Sequence, residues 1–130
     1  MINKTSLYVI KALTEMARLE EGEHIGAAEL GKLIKVPQNY LGKSLQVLVR
    51  KGFLISRKGK GGGFALKKKT LSTPLLTVVE GIDDMDRWSN CFLNLRKCRE
   101  TKHCALHDKW KAVRENYLNF LKTNTIKDCL

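Results

Sequence analysis

Residues 38–66 read QNYLGKSLQVLVRKGFLISRKGKGGGFAL, and this stretch decides the fold. Leu41, Leu45, Leu48 and Val49 recur at i, i+4, i+7 and i+8, the spacing of one helical face, which predicts a helix from about Gln38 to Lys51. Gly52 is placed to stop it. Two short strand-like runs follow, Phe53–Arg57 and Gly63–Leu66, joined by Lys58-Gly59-Lys60-Gly61-Gly62. A glycine-rich link between two such runs predicts a β-hairpin.

Working outward, Pro37 suits a helix start, and Lys35-Val36-Pro37 makes a tight connection from a short helix over Gly26–Ile34, with Leu30 and Leu33 inward. Leu7, Ile10, Leu13 and Met16 place a first helix over about 4–20. Helix, short helix, turn, helix, hairpin is the order of a winged helix-turn-helix, expected over residues 1–81. Thr73-Pro74 opens a further helix to about Gly81. Residues 82–107 show no clear periodicity, hold three of the four cysteines, and need something to tie them down. From Asp108, a predicted N-cap, a long helix runs to about Lys122 within a C-terminal region of residues 108–130. Trp110, Val113, Tyr117 and Phe120 step by 3, 4 and 3, and Leu121 widens this coiled-coil-like seam. Residues 125–130 read as a short tail. The expected class is mostly α with a small β-hairpin wing (α+β), plus a long C-terminal helix.

The charge is unevenly placed. The 130 residues carry a net +11, but Leu30–Val79 contains eleven Lys and Arg and no Asp or Glu, while the remainder balances at thirteen of each sign. A concentrated basic segment points to a polyanionic partner. At 43% hydrophobic the chain can bury a core, and no apolar run of about 18 residues predicts a membrane span. Met1–Ser6 shows no secretory signal pattern, so a cytoplasmic location is the default expectation.

Opposite the apolar stripe of the third helix lie Asn39, Lys43, Gln46 and Arg50. Such side chains hydrogen-bond base edges or phosphates in a major groove. Gln38, Asn39, Gly42 and Lys43 occupy the base-reading first turns, and Arg50 suits backbone contact. Arg57, Lys58 and Lys60 sit among glycines at the hairpin tip, where close approach to phosphate or the minor groove is allowed. The same glycines lack the G-x-x-x-x-G-K-[ST] pattern of a nucleotide loop.

Cys91, Cys98 and Cys104 form C-x6-C-x5-C, and His107 follows Cys104 by three. Thiolates and an imidazole so spaced can meet at an iron–sulfur or zinc centre, or stay metal-free as buried small groups or a redox switch. Zinc knuckles usually begin with a tighter cysteine pair than this one. Arg96, Lys97, Arg99, Lys102 and His103 would lower the thiol pKa values. Cys129 stands apart.

Tyr40-Leu41, Arg57–Phe64 in the wing, Val78-Val79-Glu80-Gly81 and Cys104-Ala105-Leu106-His107 before Trp110 carry a resemblance. Over essentially its whole length the chain resembles the Rrf-type bacterial transcriptional regulators, whose branches serve iron–sulfur assembly, nitric-oxide sensing and cysteine metabolism. The resemblance implies a homodimer joined through the last helix, reading a palindromic duplex with Tyr40 and Gly59 added to the contact set. It implies an iron–sulfur cluster on Cys91, Cys98 and Cys104, 2Fe–2S rather than 4Fe–4S, which isolation can strip. His107 is the implied fourth ligand, because Leu7 stands where another branch has an acidic ligand and cannot coordinate. The expected function is a DNA-binding repressor modulated by that cluster. A cluster-free regulator under thiol or partner control, an RNA-binding winged helix and a small iron–sulfur electron carrier are the alternatives. No nucleophile–base constellation suggests an enzyme.

Overall fold

Asn3 starts the chain's first helix by accepting the Ser6 N–H on its side-chain oxygen at 2.7 Å, a standard N-cap. In this computed structural model, which describes residues 2–93 and 104–130, that helix is α1 (Lys4–Ala17). It stops three residues short of the expected end, where Arg18 and Leu19 donate instead to Glu15 and Met16 in tighter i→i−3 bonds. Helices α2 (Ala27–Ile34) and α3 (Gln38–Arg50) follow, then strands β1 (Leu54–Arg57) and β2 (Gly63–Leu66), then α4 (Leu75–Val79) and α5 (His107–Thr123). Short 3-10 turns occupy Lys68–Ser72, Met85–Ser89 and Lys127–Cys129.

The turn between α2 and α3 is built on close approach. Lys35 takes a left-handed conformation with φ 59°, and Val36 donates to the Gly31 carbonyl at 2.8 Å. A Cβ on Gly31 would lie 2.5 Å from the Val36 oxygen, so only glycine fits there. This packing also corrects an expectation. Leu30 and Gly31 are buried while Leu33 is 58% exposed. The buried centre of α2 lies between Leu30 and Gly31, so Leu33 is rotated roughly 110° away from it, at about 100° per residue.

The hairpin is antiparallel, with Leu54 opposite Leu66, Ile55 opposite Ala65, Ser56 opposite Phe64 and Arg57 opposite Gly63. Gly59 and Gly61, at φ 88° and 75°, turn the tip. Phe64 exchanges both backbone hydrogen bonds with Ile25, at 2.9 and 2.8 Å, so the wing is anchored to the chain entering α2.

One core collects Val9 and Leu13 of α1, Leu30 of α2, Leu41, Leu45 and Leu48 of α3, Leu54, Phe64, and Leu75, Leu76, Val78 and Val79 of α4. Leu121 of α5 and Ile126 of the C-terminal turn join it, at 1% and 0% exposure. The segment after α5 is therefore docked, not trailing. Leu75 donates to the Asn124 carbonyl at 2.9 Å. Asp128 accepts the Thr125 backbone N–H and hydroxyl, which hold its carboxyl below the ordinary carboxylate range. Helix α5 begins at His107 after Leu106 without a side-chain cap, so Asp108 lies inside the first turn and is not the N-cap.

Gly31→Ala is expected to destabilise by about 1–3 kcal/mol through overpacking against Val36. Gly42→Ala, in α3 with open space around a Cβ, is expected to stabilise by about 0.5–1 kcal/mol. Urea titration of both variants checks the pair, and equal effects of one sign would contradict this account of the turn.

Candidate nucleic-acid interface

The apolar stripe of α3 is committed to the core, which fixes the rotation of the helix and turns its other face to solvent. Leu41, Leu45 and Leu48 are 1% exposed or less. Gln38, Asn39, Tyr40, Lys43, Gln46 and Arg50 are exposed, and Gly42 is half-buried. Arg57, Lys58, Gly59 and Lys60 at the wing tip are all exposed. Gly42, Lys43, Gln46, Val47 and Arg50 share an open groove with Ala27 at the start of α2 and Phe64 of β2. Helix face and wing base therefore bound one continuous surface. Ala27 and Phe64 escaped the sequence reading because their place in the groove depends on the Ile25–Phe64 pairing, which links residues far apart in the chain.

The electrostatics of this surface are simple. Among the described residues the salt bridges are Arg18–Glu15 at 2.7 Å and Lys68–Glu21 at 3.9 Å, both away from it. Lys43, Arg50, Arg57, Lys58 and Lys60 thus face solvent without an acidic partner in the described structure, which leaves them available to phosphate. Not all of the basic segment serves this face. The Lys69 and Lys67 ammonium groups lie 3.6 and 4.0 Å from where a Cβ on Gly52 would sit, beside the C-terminus of α3. Cations there complement the helix dipole.

Tyr40 is tied sideways. Its hydroxyl shares a 2.6 Å hydrogen bond with Thr5 Oγ1, and its ring meets Tyr8 edge-on at 6.0 Å. Thr5, Pro37, Asn39, Tyr40, Lys43 and Ser44 line a second open cleft, so the start of α1 borders the candidate surface. Nothing in the spacing of Thr5 signalled this.

The cysteine segment lies between α4 and α5 in the chain. Cys91 and His107 are buried, at 8% and 5% exposure, and Cys104 is half-buried. His107 donates its backbone N–H to the Cys104 carbonyl at 3.0 Å. Trp110 Nε1 donates to the Asn90 carbonyl at 3.2 Å, which draws the residue before Cys91 to the first turn of α5. Cys98 falls outside the described residues. Among the described residues no three metal-ligating side chains gather within reach of one ion.

On α5, Val113 and Phe120 are 56% and 53% exposed, while Trp110 and Tyr117 are half-buried. Tyr117 stacks on Trp88 at 5.2 Å and on Phe120 at 6.4 Å. Leu121, expected on the seam, packs into the core of its own chain instead, because it lies roughly 80–100° around the helix from Val113 and Phe120. Among the described residues no helix is long and apolar enough to cross a membrane.

Residues 2–130 match the family described as Rrf2, iron-dependent transcriptional regulator. The chain belongs to the Rrf2 family. Over 132 aligned residues it is 30% identical to a curated HTH-type transcriptional regulator of Aquifex aeolicus, covering all of this chain and 91% of that protein. The fold is similar to that of CymR, the global cysteine regulator of B. subtilis, with a TM-score of 0.78 at 15% identity over 99% of this chain and 95% of that one. It is also similar to T. potens IscR, with a TM-score of 0.72 at 15% identity over 99% and 85%. Rrf2 proteins are DNA-binding transcriptional regulators, not enzymes, and the mostly helical chain with its two-stranded wing has their winged-helix architecture.

If α3 reads bases and the wing holds phosphate, Asn39→Ala should lose about 1–3 kcal/mol of discrimination at one base pair. Lys58→Ala should weaken binding to all duplexes alike and reduce the log–log salt slope by about 0.9. Salt-titrated binding to a matched and a substituted duplex separates the two, and a uniform loss for Asn39→Ala would remove it from the reading set.

Proposed function

We propose that the chain is a homodimeric transcriptional regulator, a cytoplasmic repressor, whose grip on a palindromic duplex depends on the state of its cysteine segment. The outer face of α3 carries this reading. Its exposed Lys43, Gln46 and Arg50 share one groove with Phe64 at the base of the wing, Asn39 lines the adjoining cleft with Lys43, and its cations have no acidic partner among the described residues. Gln38, Asn39 and Lys43 read bases, and Gly42, lacking a side chain, lets the helix approach them closely. Tyr40, Gln46 and Arg50, with Arg57, Lys58, Gly59 and Lys60, set the pose on the backbone.

The dimer contact is assigned to α5. Val113 and Phe120 lie about 20° apart in helical projection, and both are large, apolar and more than half exposed. Trp110 and Tyr117 flank them. A second copy crossing here buries these side chains and sets two recognition helices roughly 34–36 Å apart, one turn of duplex.

Cys91, Cys98, Cys104 and His107 are the residues that would hold an iron–sulfur cluster, 2Fe–2S in preference to 4Fe–4S. The donor chemistry fits, and the Trp110–Asn90 hydrogen bond supports it by bringing the chain at Cys91 to the end of α5 that bears His107. Cys98 is needed to complete the set. When bound, the cluster supplies a link between the segment after α4 and α5 that depends on oxidation and occupancy. The chain's own part is mechanical: Trp110 holds residue 90, the Cys104–His107 turn orients the imidazole, and α5 carries the strain to the partner copy. A second reading, control by thiol oxidation without a cluster, is favoured by the lack of any three-ligand gathering among the described residues.

Anaerobically isolated protein should show visible absorption together with iron and acid-labile sulfide. Colourless protein lacking both would overturn the cluster and leave thiol control, under which oxidant alone changes duplex affinity. Separately, Phe120→Asp should give a monomer in sedimentation and reduce duplex affinity at least tenfold. A dimer of unchanged affinity would place the seam elsewhere.

A further inference from the structure

The first turn of α1 is where three distant parts of the chain meet. Asp83, four residues after the end of α4, is buried at 7% exposure. Its Oδ2 accepts the Asn3 backbone N–H at 2.7 Å and the Ser6 hydroxyl at 3.4 Å. Helix α1 has no acidic residue in its own first turn, so Asp83 is the carboxylate that faces its dipole there. Tyr117 of α5, stacked on Trp88, accepts the Ile2 N–H on its hydroxyl at 3.5 Å. On the same turn, Thr5 hydrogen-bonds Tyr40 at 2.6 Å, and Tyr8 meets the Tyr40 ring edge-on. Tyr40 stands in the first turn of α3, beside Asn39.

We infer that the first turn of α1 is the junction through which the segment leading to Cys91 sets the pose of the recognition helix, with Asp83 and Thr5 as positioning residues and Tyr40 as the point of delivery. The inference rests on the duplex-reading role proposed for α3. Asp83 and Trp88 both precede Cys91 in one short run, residues 83–91, so a shift of that run is felt at Asn3, Ser6 and Ile2 together. Residues 3–7 form one hydrogen-bonded turn, since the Asn3 side chain caps Ser6 and Leu7 donates to the Asn3 carbonyl. Such a turn moves as a unit, and Thr5 moves with it. The Thr5–Tyr40 bond is exposed and solvent can replace it, which makes the link breakable without unfolding the core. Buried Asp83 holds the other end firmly.

The test uses the full chain and a duplex enriched from a random-sequence pool by the wild-type protein, with a scrambled duplex as reference. Asp83→Asn, Tyr40→Phe and Thr5→Val should each lower the affinity ratio of enriched to scrambled duplex by roughly 3–10-fold, the loss expected from one hydrogen-bonded link. The Asp83→Asn/Tyr40→Phe double variant should lose no more than the larger single loss, although the two side chains do not touch. Thr5→Ser should restore the ratio. Amide exchange over residues 38–43 should quicken in Asp83→Asn and Thr5→Val, with the second half of α3 unchanged. If Asp83→Asn does not fold, Ser6→Ala removes one donor to Asp83 and takes its place. Additive losses, or a lowered melting temperature with the ratio intact, overturn the inference. A wild-type protein that enriches no duplex overturns it together with the DNA-reading role, whereas enrichment with indifferent variants overturns the junction alone.

Discussion

The rotational setting of α3 is the constraint on which the rest depends. Burying Leu41, Leu45 and Leu48 to 1% exposure or less removes three large apolar side chains from water, each burial being worth about 1.5–3 kcal/mol. No polar contact on the outer face competes with that sum. The helix can therefore sit only one way, and Asn39, Lys43, Gln46 and Arg50 face outward as a consequence. The neighbouring features serve the same setting. Gly31 lets Val36 close the turn into α3, and the Ile25–Phe64 pairing fixes the wing beside it. The charges then decorate a frame already decided by the core.

That order explains what could be read from the sequence. Helix α3, the hairpin and the basic surface rest on local signals, period and glycine placement, which survive without knowledge of neighbours. Leu33 and Leu121 show where local signals fail. Both are leucines at plausible helical spacing, yet one is 58% exposed and the other 1%. The difference lies in which neighbour claims the face: Gly31 pulls α2 round toward Val36, and α4 together with Ile126 takes Leu121. The C-terminal turn fails for the same reason. Thr125 and Ile126 look like a tail until Pro74 and Leu75 are placed beside them. Of the candidate surface, the exposure of the α3 and wing residues was legible, whereas Ala27, Phe64 and Thr5 became their neighbours only through pairings across the fold. The cysteine spacing named ligand candidates but could not say that Trp110 would tether the residue before Cys91.

The basic segment also divides its labour. Lys43, Arg50 and the wing cations face solvent, but Lys67 and Lys69 gather at the C-terminus of α3. These lysines stabilise the end of α3 through its dipole, an effect of about 0.3–1 kcal/mol at exposed sites. An acid-free segment achieves two things at once. It leaves the cations of α3 and the wing without an acidic partner among the described residues, so in the proposed duplex contact counterion release on phosphate contributes fully. It also avoids carboxylates that would repel the backbone from the groove mouth.

A regulator needs its two states to differ by little. Coupling free energies of about 1–3 kcal/mol give 5–150-fold changes in affinity, and a single net hydrogen bond contributes about 0.5–1.5 kcal/mol. The contacts around the first turn of α1 are of that number and kind: Asp83 with Asn3 and Ser6, Tyr117 with Ile2, Thr5 with Tyr40. Had α3 been joined to residues 83–91 through a wide apolar interface, switching would demand repacking, at several kcal/mol for each large side chain disturbed. A polar junction on the edge of a rigid core allows the core to stay fixed while the pose of one tyrosine changes. The firm setting of α3 and the slender link to its first turn are therefore complementary, since a helix held mainly by its apolar stripe can be adjusted at one end without being lost.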